Sequence, residues 1–247
     1  MRTFSITDVG MVRQVNQDYV YVTDRPLGIL QNLFVVADGM GGHQAGDYAS
    51  KYTVEVLNRE LALSEGEDIE RCLVGAIKTA NREIIKEASR DEHLKGMGTT
   101  VVAATISNQM MYFANVGDSR LYLVRGGLIQ VTKDHSYVEE MVSLGLLNRG
   151  SKDYQMKKNY ITRAIGTEPE VEPDFFEVAL HEGDMILLCS DGLSNMVSDK
   201  EIYSIVSAKG TLSEKAWRLL QKANDNGGKD NISVILANLA ESEVTPC

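Results

Sequence analysis

The chain has 247 residues, of which 43% are hydrophobic and 24% charged, a composition that supplies a large core and argues against disorder. The net charge of −10, without a Lys/Arg-rich block, argues against nucleic acid or an anionic membrane surface as a partner. The cysteines are widely spaced, no apolar run reaches the ~20 residues of a membrane-spanning helix, and residues 1–4 carry no signal-peptide core, so a cytoplasmic location is expected. The acidic net charge and the lack of a dimer motif in the sequence predict a monomer.

Short runs rich in β-branched and aromatic residues predict strands along the whole chain. In chain order they are Thr3–Asp8, Tyr19–Thr23, Leu33–Ala37, Thr100–Ser107, Met110–Val116, Arg120–Val124, Leu128–Thr132, Phe175–Ala179, Met185–Ser190 and Ile232–Leu239. The turns at 107–109, 117–119 and 126–127 are too short for a helix, so we expect hairpins there and a mainly antiparallel sheet.

Apolar residues at helical spacing predict helices between these strands. The helical patterns cover Ala45–Leu61, Ile69–Ala88, Tyr137–Leu144 and Asp199–Ala208. A last helix opens with the capping-box pattern Thr211–Glu214 and is expected to bury Trp217, Leu220 and Ala223. Because strands and helices are grouped, the pattern favours an α+β fold of packed antiparallel sheets covered by helices.

One segment near the middle of the chain differs in composition from the strands that flank it. Residues 136–165 pass from a helical pattern through a polar stretch and are poor in β-branched residues, which predicts an insert over the sheet edge, a flap. Acidic motifs at both ends of the chain favour a single domain over residues 1–240 with a loose tail at 241–247.

Four motifs, at residues 13–18, 38–42, 190–192 and 229–231, place an aspartate beside a strand or in a tight turn. The aspartates are Asp18, Asp38, Asp191 and Asp230. Like charges ~4 Å apart cost about 4 kcal/mol at an effective dielectric near 20, so converging carboxylates must take up protons or cations. Each motif alone is more typical of a turn, and it is the combination that indicates a site.

Carboxylate and carbonyl oxygens are the ligands that Mg²⁺ and Mn²⁺ prefer. Asp38 can bridge two ions while the Gly39 carbonyl binds one of them. Such a pair of ions lowers the pKa of a shared water, and a guanidinium such as that of Arg13 binds phosphate oxygens. The pattern therefore indicates hydrolysis of phosphoesters.

The motifs together resemble one known family. They are Thr7-Asp-x-Gly10, Arg13-x-x-Asn-x-Asp18, Val36-Ala-Asp-Gly-Met-Gly-Gly-His43, Gly98-Thr-Thr100, Asn115-x-Gly-Asp-Ser-Arg120, Asp134-His-Ser136, Ser190-Asp-Gly192 and Lys229-Asp-Asn231. In this order they resemble the metal-dependent protein phosphatase 2C (PPM) family, especially bacterial serine/threonine phosphatases that counteract PASTA-type kinases. The resemblance covers residues 1 to about 240, essentially the whole chain.

The resemblance implies a four-layer α-β-β-α sandwich in which two sheets are flanked by helix pairs. It implies hydrolysis of phosphoserine and phosphothreonine by a metal-bridging water or hydroxide, which would reverse a bacterial kinase. It also implies two core Mn²⁺ or Mg²⁺ ions, a third, weaker ion in bacterial members, and a flap at 136–165 beside the site. The residues it assigns are Asp38 as the bridging ligand, Gly39 by its carbonyl, Asp191 and Asp230 at the second ion, Asp18 at a metal or its water, Asp118 with Asp191 at the third ion, and Arg13 at the phosphate.

Two positions depart from the family pattern. Met40 stands where eukaryotic members have a histidine proposed as general acid, and His43 is the candidate substitute, with a metal-bound water as the alternative. Asn195 stands where some relatives carry an aspartate, which is expected to weaken a third ion.

The sequence excludes a cysteine phosphatase but leaves two non-enzymatic functions open. A cysteine phosphatase needs an arginine six residues after its cysteine, but Lys78 follows Cys72 and Asn195 follows Cys189 at that distance. A phosphoprotein-binding pseudophosphatase and a structural cation-binding domain remain as alternatives, and Mn²⁺-dependent hydrolysis would eliminate both.

Overall fold

The computed structural model describes residues 1–42, 45–66 and 68–239. The candidate acid His43 and the predicted tail at 241–247 lie outside the described residues. No helix in the described ranges is both long and apolar enough to cross a membrane.

The strands form two antiparallel sheets. In chain order they are β1 (Arg2–Asp8), β2 (Asp18–Thr23), β3 (Leu33–Met40), β4 (Gly98–Thr99), β5 (Val101–Ser107), β6 (Met110–Val116), β7 (Arg120–Val124), β8 (Leu128–Gln130), β9 (Asp174–Ala179), β10 (Met185–Cys189) and β11 (Ile232–Asn238). One sheet has the order β1-β11-β10-β7-β8. The other has the order β2-β3-β5-β6-β9, with β4 paired to the end of β3. Every strand that the sequence predicts is present.

The described residues form seven α-helices, and those within residues 45–90 and 191–225 pack on the outer faces of the two sheets. In chain order they are α1 (Ala45–Ala62), α2 (Ile69–Arg90), α3 (Tyr137–Ser143), α4 (Lys152–Lys157), α5 (Asp191–Ser194), α6 (Asp199–Ser207) and α7 (Leu212–Asp225). The predicted capping box is confirmed at the start of α7, where Thr211 and Glu214 each bond the other's backbone N–H. The sequence did not predict α4, whose first turn is capped by the Ser151 hydroxyl.

Alternating side chains along each central strand build separate cores. On β3, Phe34 and Val36 pack between the sheets, whereas Val35 and Ala37 pack against α1 and α2. On β10, Leu188 points between the sheets, while the side chains on either side of it pack against α6 and α7. The predicted four-layer α-β-β-α sandwich is therefore confirmed, because each sheet buries both of its faces.

Two of the three predicted hairpins are confirmed. Ser107 pairs with Met110 across a two-residue turn, and Val124 pairs with Leu128. The hairpin predicted at 117–119 is wrong, because β6 and β7 lie in different sheets. Gly117, at a φ of +107°, turns the chain from one sheet to the other. Short turn length alone does not distinguish this crossing from a hairpin.

The predicted inward face of α7 is wrong at one position. Leu220 and Ala223 are buried, but the side chain of Trp217 is 51% exposed. The buried stripe runs through Ala216 and Leu219 instead. Because successive residues turn by about 100° around a helix of 3.6 residues per turn, Trp217 lies off this stripe.

Candidate metal centre

Two aspartates face each other at one end of the second sheet. Asp18 begins β2 and is directly opposite Asp38 of β3 in the antiparallel register. Directly opposite side chains project from the same face with Cβ atoms about 4.5–5.5 Å apart. Asp18 is 7% exposed and Asp38 is partly buried. The fold thus forces two acidic groups together, which is unfavourable unless a proton or a cation lies between them.

The backbone around Asp38 is held in place by β4 and α1. The Thr99 hydroxyl and the Thr100 N–H each donate to the Asp38 carbonyl at 2.9 Å. The Asp38 N–H in turn donates to Thr100 Oγ1 at 3.0 Å. A Cβ at Gly39 would lie 2.0 Å from the Gly46 carbonyl oxygen, so only glycine allows α1 to approach the strand this closely.

Asp191 emerges where the apolar strand β10 ends, as the sequence predicts. It is the first residue of α5, and the Asn195 amide donates to its Oδ2 at 2.9 Å. The preceding residue, Ser190, donates from its hydroxyl to Asp18 Oδ2 at 2.6 Å. The end of β10 therefore carries Asp191 into the site, and its neighbour Ser190 orients Asp18. Asn195 is neutral, so it orients Asp191 without adding a negative charge.

Gly192→Ala should destabilise the protein. A Cβ at Gly192 would lie 1.9 Å from the Asn231 carbonyl oxygen, and overpacking a tight site typically costs about 1–3 kcal/mol. The control is Gly75→Ala within α2, where the Cβ would meet no described atom within 4 Å. That control should be neutral or stabilising by up to about 1 kcal/mol. Urea unfolding compares the two variants, and equal midpoints would contradict the expectation.

Asp230 is paired with Arg13 across the opening of the site. The Arg13 Nη2 and Asp230 Oδ2 atoms are 2.8 Å apart, and the arginine side chain is 52% exposed. The hydrogen bond to Asp230 raises the pKa of Arg13. The loop that carries Arg13 is docked by the N–H groups of Met11 and Val12, which both donate to the Gly228 carbonyl. The guanidinium is therefore tethered to the acidic cluster but open to solvent.

Sequence reasoning missed the part played by Asn231. Its amide Nδ2 donates to the carbonyls of Val9 at 2.9 Å and Val15 at 3.0 Å, and its Oδ1 accepts from the Gln17 N–H at 2.8 Å. One side chain thus clamps the loop between β1 and β2 against the start of β11. The sequence feature that could have indicated this role is an asparagine directly after an aspartate in a tight turn, because amide side chains at such positions form hydrogen bonds with nearby backbone groups.

Asp118 lies in the loop that crosses between the sheets. It is 5% exposed, and the next residue, Ser119, shares a hydroxyl hydrogen bond of 2.8 Å with Thr100. Buried oxygens with no hydrogen-bond partner among the described residues include Oδ1 of Asp118 and Oδ1 of Asp18. Buried polar atoms are rarely left unpaired, so both oxygens fit a role as ligands of a cation.

The carboxylates disturb one another's titration. Burial, reinforced by neighbouring negative charges, raises the pKa of Asp18 to about 7 and that of Asp191 to about 6. Burial and then the charge of Asp18 raise the pKa of Asp38 well above its usual range, and burial followed by the charge of Asp191 does the same for Asp118. A cation would relieve the same repulsion that these protons relieve.

The donors present are oxygens, which suit Mg²⁺ or Mn²⁺. In the part of the chain that the structure describes, no group of three or more Asp, Glu, His or Cys side chains is arranged to hold a metal ion by itself. Each ion would therefore complete its shell with backbone oxygens and water, as these hard cations commonly do.

A cavity of about 420 Å³ opens beside the acidic cluster. Its lining includes Asp118 and Asp191 from the acidic cluster and Tyr154 and Lys158 from the segment 136–165. Burial lowers the pKa of Lys158. A side chain of a bound substrate could reach the carboxylates from this cavity.

A two-sheet sandwich with clustered, buried carboxylates and an arginine at one end fits a metal-dependent phosphoester hydrolase. Residues 11–237 match the family model described as protein phosphatase 2C. The chain belongs to the protein phosphatase 2C family.

Relatives of this chain are serine/threonine phosphatases. The chain is 43% identical over 235 residues to the serine/threonine phosphatase stp of Listeria monocytogenes, covering 93% of this chain and 92% of that protein. Its fold is similar to that of the S. agalactiae serine/threonine phosphatase, with a TM-score of 0.90, 38% identity and coverage of 97% and 99%. The catalytic domain of PstP in complex with two manganese ions has a TM-score of 0.85, 34% identity and coverage of 97% and 98%. The predicted enzyme class is confirmed: the chain is a metal-dependent PP2C-type serine/threonine phosphatase.

Proposed function

We propose that this chain removes phosphate from phosphoserine and phosphothreonine in proteins by using two core ions, Mn²⁺ or Mg²⁺, held at the acidic cluster. The observation that carries the proposal is a pair of buried oxygens, Oδ1 of Asp18 and Oδ1 of Asp118, which have no hydrogen-bond partner in the described part of the chain and belong to carboxyl groups whose pKa values are raised. When bound, the ions would activate a water molecule as the nucleophile and neutralise charge on the phosphoryl group.

The proposed ligand roles are those that the motif match to the family implies. Asp38 would bridge the core ions, and the Gly39 carbonyl would bind one of them. Asp191 and Asp230 would complete the second ion, and Asp18 would hold a metal or its water. Asp118 would share a third, weaker ion with Asp191, because these two line the same cavity.

Arg13 would bind the phosphate of the substrate. Its guanidinium is already held at the acidic cluster through Asp230, with half of the side chain exposed. The planar guanidinium can donate two parallel hydrogen bonds to phosphate oxygens, which a lysine cannot.

Arg13→Ala should lower kcat/KM by about 10- to 100-fold, since a hydrogen bond to a charged group is worth about 1.5–3 kcal/mol. Arg13→Lys should recover only part of this loss, because it restores the charge but not the paired donors. Steady-state hydrolysis of a phosphothreonine peptide measures both variants. Wild-type kcat/KM in Arg13→Ala would remove the phosphate-binding role.

His43 is the proposed general acid, by its place in the sequence three residues after Met40. His43→Ala should remove the alkaline limb of the pH–rate profile, since a general acid must be protonated to act. Identical profiles for the wild type and His43→Ala would assign the proton to a metal-bound water instead.

We also propose the substrates, location and domain organisation of the protein. The substrates would be phosphoproteins, including a cognate serine/threonine kinase of the PASTA type. The protein would act as a cytoplasmic monomer, with one catalytic domain over residues 1–240. The segment 136–165, which contains α3 and α4, would act as a flap subdomain over the cavity.

The direct test is release of phosphate from a phosphothreonine peptide. Activity should require Mn²⁺ or Mg²⁺, disappear with EDTA and return when the metal is restored. Alkylation of thiols should leave it unchanged, because the proposed mechanism uses no thiolate. Cys189, which ends β10 two residues before Asp191, is also fully buried, and burial raises its pKa to about 12. Absence of metal-dependent turnover would favour a pseudophosphatase or a structural cation-binding domain.

A further inference from the structure

His135 connects the loop of Asp118 to the end of the segment 136–165. The residue is 5% exposed. Its backbone N–H donates to the Gly117 carbonyl at 2.9 Å, and its carbonyl accepts from the Thr162 N–H at 2.8 Å. The backbone of His135 therefore lies between the turn that carries Asp118 and the chain that returns from the flap.

The imidazole adds a second bond to the same turn. The Gly117 N–H donates to Nδ1 of His135 at 3.0 Å. On the other side of the ring, Nε2 lies 3.2 Å from Oδ2 of Asp174. Because Nδ1 accepts a hydrogen bond, the ring proton is assigned to Nε2, which donates to Asp174.

The neighbours of the ring support this assignment. Burial lowers the pKa of His135, which favours the neutral ring. Asp174 begins β9 opposite Asn115 and also accepts from Arg163 at 2.8 Å. Arg163 Nη1 also lies 3.2 Å from Nε2 of His135. Because Nε2 carries the ring proton, it cannot accept from the guanidinium, so Arg163 and the ring both donate to the Asp174 carboxylate, which orients the imidazole towards Gly117.

Gly117 has little freedom to move away from this contact. Its φ is +107°, and a Cβ there would lie 2.5 Å from Cγ2 of Thr100. The peptide N–H that His135 holds belongs to the residue directly before Asp118, whose Oδ1 has no partner among the described residues. The orientation of the Asp118 carboxylate therefore depends on a turn fixed by Thr100 on one side and His135 on the other.

We infer that His135, oriented by Asp174, is a positioning residue that aims Asp118 at its metal ion. This rests on the proposed role of Asp118 as a ligand. Partners that orient the ligands of a metal typically contribute 10–100-fold to metal affinity.

Two substitutions separate positioning from simple packing. His135→Asn places an amide oxygen near the position of Nδ1 and can still accept from Gly117, whereas His135→Gln places its amide near the position of Nε2 and cannot. We expect the Mn²⁺ affinity of His135→Gln, measured by calorimetry, to fall about tenfold or more. His135→Asn should retain most of the affinity, although both variants lose the ring.

Comparison with Asp118→Asn shows whether the effect passes through Asp118. Asp118→Asn should weaken Mn²⁺ binding, and adding His135→Gln to it should cause no further loss, since residues that act through one group are non-additive. Wild-type affinity in His135→Gln with weakened binding in Asp118→Asn would overturn this inference alone. Wild-type affinity in Asp118→Asn would overturn the ligand role of Asp118 and the inference together.

Equal losses in His135→Asn and His135→Gln would show a packing role and overturn the inference. If His135→Gln does not fold, Asp174→Ala provides the test. It removes the carboxylate that accepts the Nε2 proton of His135, and because Asp174 is partly exposed, the substitution perturbs the core less. Asp174→Ala should weaken Mn²⁺ binding severalfold, and unchanged affinity would overturn the inference.

Discussion

Asp38→Asn should reduce kcat by about 1,000-fold or more while making the metal-free protein more stable. In the proposed mechanism Asp38 would hold both core ions, whose charge stabilisation in the transition state is typically worth several kcal/mol, and about 4 kcal/mol corresponds to about 1,000-fold in rate. The stability should rise because burial and the charge of Asp18 disfavour the Asp38 carboxylate in the folded state. Opposite changes in activity and stability distinguish a metal ligand from a residue needed for folding.

The control for this prediction is Asp225→Asn, which removes an exposed carboxylate at the end of α7. It should leave both activity and stability unchanged. Peptide hydrolysis in Mn²⁺ and thermal unfolding in EDTA measure the two quantities. Full activity in Asp38→Asn would show that the two-metal mechanism is wrong.

The metal-free protein should lose stability as the pH rises from about 4 to about 7. Burial raises the pKa of Asp18 to about 7 and that of Asp191 to about 6 in the folded state. In the unfolded chain these groups titrate near ~3.9, so between the two pKa values only the folded state holds the protons. The contribution of Asp18 and Asp191 to stability is therefore greatest below this window, falls through it and is level above it.

Thermal unfolding in EDTA across this pH range measures the effect. Asp18→Asn should show a shallower fall than the wild type, since it removes one of the raised groups. Mn²⁺ should flatten the wild-type curve, because a cation replaces the protons. Parallel curves for the wild type and Asp18→Asn would contradict the raised pKa of Asp18.

Local patterns in the sequence predicted most elements of the fold. The apolar run of β10 placed Asp191 at a strand end, and the two-residue spacing at Asn108 and Gln109 indicated a hairpin. Both are confirmed. These features depend on neighbours in the chain, so periodicity and turn chemistry are sufficient to find them.

Features that depend on distant residues were not predictable in the same way. The crossing at Gly117 was taken for a hairpin, because its turn is short and the choice of sheet is made by packing partners elsewhere in the chain. The helical spacing of Trp217, Leu220 and Ala223 predicts one buried face, but the packing of α7 turns Trp217 outward.

The sequence also did not predict the side chains that hold the loops of the site in place. Asn231 and His135 act through bonds to backbone groups more than ten residues away, and such bonds leave no periodic pattern. The aspartates were identified as a set from their order in the chain, whereas the side chains that orient them required the fold.

Anomalous diffraction from crystals grown with Mn²⁺ would show whether the acidic cluster binds the proposed ions. We expect strong manganese peaks within coordination distance of the carboxylates of Asp38 and Asp191 and of the Gly39 carbonyl. Peaks only elsewhere on the protein, or none at this cluster in crystals of active enzyme, would contradict this expectation.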